Sequence, residues 1–383
     1  YSYARTRNSN IQYGNISRSA FAAELAANRL NIFGPGLLSA EEIAAISITT
    51  QNTDISELQV AQASISGSLF DFGLGGGAVG FALGGEYRSV ESQFIPDQAL
   101  SSGDVVGFNG GDPTAGGYNV KEVFGELSVP LLGGMPFAEK LELNGAFRYS
   151  DYSLGGVGGV WTYTGGAQWA PVRDITFRGQ YSRAVRAPNV SELFGGQSNG
   201  FPGATDPCAT PGAQNNAALV AICTATGVPA GAVGSGTALQ PATQIEGLFG
   251  GNPDLQEEVT DTYTAGVVLA PSFLPGLHVT ADYFNIKVDT VVTSLGGGVG
   301  GILNLCYNVF QDVNSIYCQA ISRNDDGTIQ NPTFVTAVNA KAANLKTSGV
   351  DLSVDYTQTL GFGMFGAESK LNAFFQGTWT EKY

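Results

Sequence analysis

A chain of 383 residues that is 43% hydrophobic and 13% charged, with a mean hydropathy of +0.05, is too polar for a bundle of membrane helices, which needs repeated uncharged apolar runs of about 20 residues. Its net charge of −15 argues against a nucleic-acid partner, because phosphate recognition needs a basic surface. The 53 glycines, about twice the usual share, and the excess of Tyr, Phe, Thr, Val and Asn over Leu and Lys favour strands over helices.

No basic, apolar and then small-residue leader stands before Tyr1, and Gly377 to Tyr383 breaks off without a turn, so both ends read as cuts in a longer chain. Asn8 to Thr53 reads as a long connection. Within it, Ser39-Ala-Glu-Glu42 has the form of a capping box ahead of Ile43 and Ile46, and Phe21 to Leu30 has the pattern of a second short helix. Both are expected as loop decorations, not as a second domain.

Gly67 to Gly76 is a short connection, and after it alternation with period two takes over. In Val79 to Arg88, Val79, Phe81, Leu83, Gly85 and Tyr87 share one face, opposite Gly80, Ala82, Gly84, Glu86 and Arg88. A long connection, Ser92 to Tyr118, and a short one, Leu131 to Ala138, follow. Leu141 to Asp151 repeats the division, with Leu141, Leu143, Gly145, Phe147 and Tyr149 against Glu142, Asn144, Ala146, Arg148 and Ser150.

After the short Leu154 to Gly158, the segment Val160 to Ala170 places Trp161, Tyr163, Gly165, Ala167 and Trp169 on one face, the tryptophans at opposite ends. Eight residues of tilted strand span roughly 20 Å, close to the ~25 Å apolar band of a membrane barrel with an aromatic girdle at each edge. Trp161, Tyr163, Trp169 and, later, Trp379 are therefore candidate membrane-interface aromatics. Pro171 to Arg173 is a short turn, and Ile175 to Ser182 alternates again, with Ile175, Phe177, Gly179 and Tyr181 against Thr176, Arg178, Gln180 and Ser182.

The longest connection, Pro188 to Gln256, contains Cys208 and Cys223 within Thr205 to Thr243, a stretch that is loop-like by its Ala, Gly, Pro, Thr and Asn content. Val259 to Leu269 alternates, with Asp261 interrupting its apolar row; Pro271 to Pro275 turns. Thr293 to about Ala340 is the last long connection and holds Cys306 and Cys318. Close cysteine pairs in polar segments read as local disulfides, Cys208 with Cys223 and Cys306 with Cys318, in an oxidising compartment. Val350 to Thr357, the short Leu360 to Ala367, and Lys370 to Trp379 complete the pattern.

About eleven strands result, most of ten or more residues, where soluble domains average ~5 to 6 and a tilted membrane strand needs ~9 to 11. Connections alternate short and long, so in an up-and-down sheet every long one emerges at the same end; Leu154 to Gly158 is short although its parity puts it with the long ones. The expected fold is an all-β, antiparallel, up-and-down transmembrane β-barrel in part. It is one domain over 1–383, with 188–256 and 293–340 as long extracellular loops.

Two local motifs stand out. Arg183-Ala-Val-Arg-Ala-Pro-Asn-Val-Ser-Glu-Leu-Phe194 closes a strand and opens the longest loop; Asn252-Pro-Asp-Leu-Gln-Glu-Glu258 closes that loop and opens the next strand. Pro188 removes a ladder donor and holds Ala187 extended, which ends the strand. Arg183 and Arg186, three apart, face opposite sides of an ideal strand, and only a bulge or frayed end lets both reach the loop. Arg186 with Glu192 or Glu258 is a candidate ion pair tying down the loop base; otherwise these charges only decorate a solvated strand end.

Together, in this order around a long loop, the motifs resemble the barrel of TonB-dependent receptors. The elements that carry the resemblance are Arg186, Pro188, Asn189, Glu192, Leu193 and Phe194 on one side, and Asn252, Pro253, Asp254, Leu255 and Glu258 on the other. The family commonly has a proline before that last Glu, where this chain has Glu257. The resemblance implies energised uptake across a Gram-negative outer membrane, with lipid around the barrel and an external ligand at the long loops. It also implies an N-terminal plug domain and an inner-membrane TonB complex acting through it; neither a plug-like segment nor a coupling box is evident in this stretch. About eleven strands are half of the 22 in plugged transporters.

A single histidine, His278, and no Gly-x-Ser-x-Gly, P-loop or metal-ligand spacing leave no catalytic constellation and no cofactor to defend. Asp325 and Asp326 sit in a turn sequence, and Glu257 and Glu258 alternate across a strand. Two other classes share the pattern. A passive outer-membrane channel would lack a plug upstream in the complete gene, and a soluble β-rich adhesin would extract without detergent.

Overall fold

The computed structural model describes residues 1–32, 38–363 and 366–382. Parts of the expected connections Asn8 to Thr53 and Leu360 to Ala367, at 33–37 and 364–365, lie outside the described residues. Among the described residues, fourteen strands occur in chain order: β1 Ser2–Ile16, β2 Ser47–Asp71, β3 Ala78–Ile95, β4 Thr114–Met135, β5 Ala138–Tyr152, β6 Gly159–Val172, β7 Ile175–Arg186, β8 Ser198–Gly200, β9 Gly247–Phe249, β10 Glu258–Leu269, β11 Leu277–Ser294, β12 Val335–Thr336, β13 Asn339–Leu360 and β14 Ser369–Lys382.

Eleven of them form one sheet in the order β1-β2-β3-β4-β5-β6-β7-β10-β11-β13-β14. Every pairing in it is antiparallel, and the order across the sheet follows the order along the chain. These strands run from 12 to 25 residues, far beyond the ~5 to 6 of soluble domains. β1 and β14 are the two edges, so the sheet is an open arc and not a closed barrel among the described residues.

Up-and-down order sorts the connections by end. The β1–β2, β3–β4, β5–β6, β7–β10 and β11–β13 connections leave and re-enter the sheet at one end; the β2–β3, β4–β5, β6–β7, β10–β11 and β13–β14 connections do so at the other. All four long connections thus lie together, as the alternation implies. The short turns are tight: at Gly276, φ is +91° and a Cβ would sit 2.0 Å from the Thr357 carbonyl oxygen, so only glycine fits. Neighbouring turns are also joined, because Asp174 accepts from the Ser272 N–H and hydroxyl, both at 2.9 Å.

Strands extend past their expected limits at both ends: at the short-turn end β2 runs to Asp71 and β4 to Met135, inside the expected connections Gly67 to Gly76 and Leu131 to Ala138. β1 reaches Ile16 and β2 starts at Ser47, inside the segment read as the connection Asn8 to Thr53. The helix expected over Phe21 to Leu30 lies instead at Arg18–Ala26, because Ser17 caps it by accepting from the Ala20 N–H. The capping box at Ser39 opens the helix Ala40–Ile46 as read.

The two longest connections are folded, where composition alone suggests irregular loop. Residues 205–243, loop-like by composition, include the helix Ala217–Ala225. Leu219, Ile222, Val228 and Leu239 pack there with Ile302, Leu303, Tyr307 and Val335 of the other long loop in a shared buried core. A three-stranded sheet, β12-β9-β8, stitches the two loops together. The bridges Ser17 to Val105 and Gly111 to Ser198 link the remaining long connections to them. Among the described residues, the larger buried cluster is therefore in this cap, not in the sheet.

Within the sheet, no second layer covers the apolar rows among the described residues. Leu83, Leu127, Phe177 and Tyr263 keep 53%, 48%, 44% and 55% of their surface accessible. The base of the cap packs on the opposite, polar-row face, where Tyr118 and Tyr152 meet Leu193 and Leu255. The apolar rows thus face away from everything the loops build, as lipid contact requires.

Candidate functional site

The loop base assembles from both motifs. β7 ends at Arg186, the buried Pro188 follows, and Asn189 caps a short helix Val190–Phe194 with a capping box. In that box the Glu192 carboxylate accepts from the Asn189 N–H at 2.8 Å, and the Asn189 side chain accepts from the Glu192 N–H at 2.9 Å. Arg186 lies directly opposite Glu258 in the ladder. Its guanidinium donates twice to Glu258, at 2.7 and 2.7 Å, and twice to Glu192, at 2.9 and 3.1 Å. The ion pair left open between Glu192 and Glu258 is thus made with both, in bidentate form.

Glu258 carries the tie further, accepting from the Val292 N–H at 2.7 Å, which brings in β11. Asn252 donates from its backbone to the Glu192 carbonyl at 2.8 Å and from its side chain to the Asn339 carbonyl at 3.0 Å. The Asn252 side-chain oxygen also accepts from the Asp254 N–H at 2.9 Å and so shapes the turn at Pro253 and Asp254, both exposed. Below these bonds, Leu193 and Leu255, 1% and 2% accessible, pack with Leu154. Phe194 lies on Gly116, where a Cβ would come within 2.2 Å of its ring. The short connection 153–158 is the seat of this base: Leu154 and Val157 fill it from below, and a Cβ on Gly156 would strike the Leu255 carbonyl oxygen at 2.5 Å.

Arg183 is not part of this assembly. The β7–β10 ladder runs without a bulge from Leu269 opposite Ile175 to Glu258 opposite Arg186, so Arg183 and Arg186 face opposite sides. Arg183 lies on the apolar-row side, 3.7 Å from Asp261, which also accepts from the Tyr181 hydroxyl at 2.7 Å. The interruption of the apolar row at Asp261 is explained by these two partners. Trp161, Tyr163, Trp169 and Trp379 are on that same side, all more than 40% accessible. Trp161 touches Tyr149 with ring centroids 4.9 Å apart, Tyr163 neighbours Tyr181 at 6.0 Å, and Trp169 stacks on Phe177 at 5.6 Å.

Within the cap, both expected disulfides are present, Cys208 with Cys223 and Cys306 with Cys318. Between them lies a buried ion pair that sequence reading missed. Arg323 and Asp206, with side chains 1% and 2% accessible, are joined at 2.7 and 3.0 Å. Arg323 also donates to the Tyr307 hydroxyl at 2.9 Å and to the Gly327 carbonyl at 2.7 Å. Burial pulls the Arg323 pKa down, but the hydrogen bonds and charge of Asp206 outweigh it and hold the guanidinium above its ordinary value. Burial raises the Tyr307 hydroxyl, with the Arg323 charge partly opposing it. No local spacing signals this pair, because its members are 117 residues apart.

The polar-row face has its own network. Glu122, with its side chain 2% accessible, accepts from Arg148 at 2.7 Å, Arg88 at 3.3 Å and the Ser150 hydroxyl at 2.6 Å. Arg178 forms a bidentate pair with Asp282 at 2.8 and 2.5 Å. Alternation had put Arg88, Arg148, Ser150 and Arg178 on the wet side, but register was needed to bring them to their partners. Asp326, in the expected turn, accepts from the Thr328 hydroxyl and N–H, which lower its carboxyl below the usual range.

A family model described as the β-barrel of TonB-dependent receptor-like proteins matches residues 1–381, nearly the whole chain. The chain belongs to the TonB-dependent receptor β-barrel family. Members of this family lie in the outer membranes of Gram-negative bacteria. No curated protein matches the chain in sequence. Among solved structures, a double mutant of the ferric enterobactin receptor PfeA of Pseudomonas aeruginosa is similar over 98% of this chain and 40% of its own, with 15% identity and a TM-score of 0.50. The siderophore receptor PirA of Acinetobacter baumannii covers 99% of this chain and 41% of its own, at 13% identity and a TM-score of 0.48. The hemophore receptor HasR of Serratia marcescens covers 80% and 40%, at 16% and 0.45.

At such identities the likeness is one of fold, and the chain spans about 40% of the length of the solved receptors it matches. The TonB-dependent receptor barrel family accounts for the antiparallel up-and-down sheet. Among the described residues, no group of three His, Cys, Asp or Glu side chains is arranged to hold a metal ion.

Proposed function

We propose that this chain is part of the barrel of an energised outer-membrane uptake receptor, a transport protein and not an enzyme. In this reading lipid contacts the rows of Leu83, Leu143, Phe147 and Phe177, and Trp161, Tyr163, Trp169 and Trp379 sit at the membrane boundaries. The long connections, 187–257 and 295–338 above all, face the outside and receive a large, scarce nutrient. A plug domain in the whole receptor fills the lumen against the polar rows, and an inner-membrane TonB complex pulls on it after the ligand binds. Arg186, Glu192, Asn252 and Glu258 act as the anchor that fixes the ligand-facing cap to the barrel wall.

The observation that carries the reading is the placement of all long connections at one end, folded over the polar face, in a chain matched to this family over residues 1–381. It is tested by inserting an epitope into the exposed turn at Asp325 and Asp326 of the full-length receptor in a Gram-negative host. Antibody should label intact cells, and the labelled protein should crosslink to TonB in the cell. Labelling only after lysis, or no crosslink to TonB, would contradict it.

A further inference from the structure

The cap contains a cleft of about 230 Å³ between its two long loops, apart from the loop base and from the polar-row networks. Glu246 lines it with only 5% of its surface accessible. One carboxylate oxygen, Oε1, accepts from the Asn199 side chain at 2.8 Å. The other makes no hydrogen bond among the described residues, yet it is not sealed from solvent, since the one orphaned buried side-chain atom there is Oε1 of Gln12. A nearly buried carboxylate with one oxygen open to a cleft is held ready for an incoming donor.

The rest of the lining narrows what that donor belongs to. The exposed side chains of Gln244 and Gln330 stand at the cleft and make no side-chain hydrogen bonds among the described residues, so each offers both a donor and an acceptor. Phe201 lines it with 43% of its surface accessible, and Ile245 and Ile329 supply apolar wall. No Lys, Arg or His lines the cleft, and the nearby Arg323 is fully engaged by Asp206.

An anionic metal chelate meets no cation here and one uncompensated carboxylate. A polyamine would meet only one uncompensated carboxylate, because Asp206, which also lines the cleft, is paired with Arg323, and its remaining ammonium charges would stay unpaired. A sugar ring matches each feature: hydroxyls donate to Glu246 and exchange hydrogen bonds with the amides, and the C–H face of the ring lies on Phe201. We infer that the cleft binds one ring of an uncharged oligosaccharide. Its volume is below the roughly 300–1,000 Å³ of drug-sized pockets, which suits a terminal ring with the chain continuing into solvent. This names the ligand class for the uptake reading above and rests on it.

The test is calorimetric titration of the full-length receptor in detergent with maltotriose, cellotriose and xylotriose, and with ferric citrate and spermidine as charged probes. At least one trisaccharide should bind, and Phe201→Ala and Gln330→Ala should each weaken it by about tenfold. Both side chains are exposed, and unchanged protease resistance of the cap shows that the variants fold. Binding of none of the trisaccharides, binding of only a charged probe, or trisaccharide affinity untouched by Phe201→Ala overturns the inference. Epitope labelling of intact cells separates the two failures: a cap reached from outside that binds no trisaccharide overturns the ligand class alone, whereas a cap not reached from outside overturns the uptake reading.

Discussion

Arg186 joins three segments through one guanidinium: its own strand, the helix carrying Glu192 and the strand opening at Glu258. Truncation to Ala leaves the nearly buried Glu258 without its charge partner, at a cost of about 2 kcal/mol after allowing for the half-exposed guanidinium. Arg186→Ala should therefore speed hydrogen exchange at the Asn252 and Val292 amides, while Arg183→Ala, on the other face, should leave both unchanged. Arg323 is the more severe case, because the Asp206 side chain is only 2% accessible. Arg323→Ala should destabilise the cap by about 3–5 kcal/mol, read as its susceptibility to protease. Tyr307 adds a pH dependence. Its hydroxyl is held above the ordinary value by burial, so its contribution is complete below the unfolded pKa of about 10 and is lost as pH rises through the folded one. The cap should open to protease in strong alkali, and Tyr307→Phe should remove that step; an unchanged alkaline profile in the variant would refute the assignment.

Strands are where the sequence was most informative, and where its silence has a clear cause. Between about Val79 and Trp379 the membrane-facing segments alternate, because every second side chain meets an apolar medium. Ser2–Ile16 and the start of β2 pair just as regularly but stand toward the long-loop end, where both faces are polar, so no period marks them. The cap was read as loop for a different reason: Leu219 and Ile222 find Ile302 and Tyr307 about 80 residues away, and contacts at that range leave no local pattern. At the loop base, the motif residues were legible, yet the double fork of Arg186 needed the register that sets Glu258 opposite it. The alternation itself predicts an asymmetry. Leu143→Arg or Phe177→Arg should cost about 2–4 kcal/mol in lipid, measured by urea titration of the full-length receptor in vesicles, and Asn144→Arg or Thr176→Arg should cost far less; equal losses on the two faces would count against the wall as drawn.

At the scale of the whole molecule, the described residues form an open arc of eleven strands, in number half of the 22 in plugged transporters, with a folded cap over its polar side. The disulfides hold that cap from within. Opening the Cys208–Cys223 link, 15 residues apart, should cost about 3 kcal/mol in the loop-entropy account. Mild reduction should accordingly loosen the cap and leave the strands intact, as followed by β-sheet circular dichroism. The central claim is that hydrocarbon touches the apolar rows and water the polar ones. It is tested most directly by spin labels placed singly at each position from Leu141 to Ser150 in the full-length receptor in bilayers. Oxygen should relax the labels at Leu141, Leu143, Gly145, Phe147 and Tyr149, and a water-soluble nickel complex those at Glu142, Asn144, Ala146, Arg148 and Ser150. A profile without this period of two, or one with the two sets exchanged, would contradict the account.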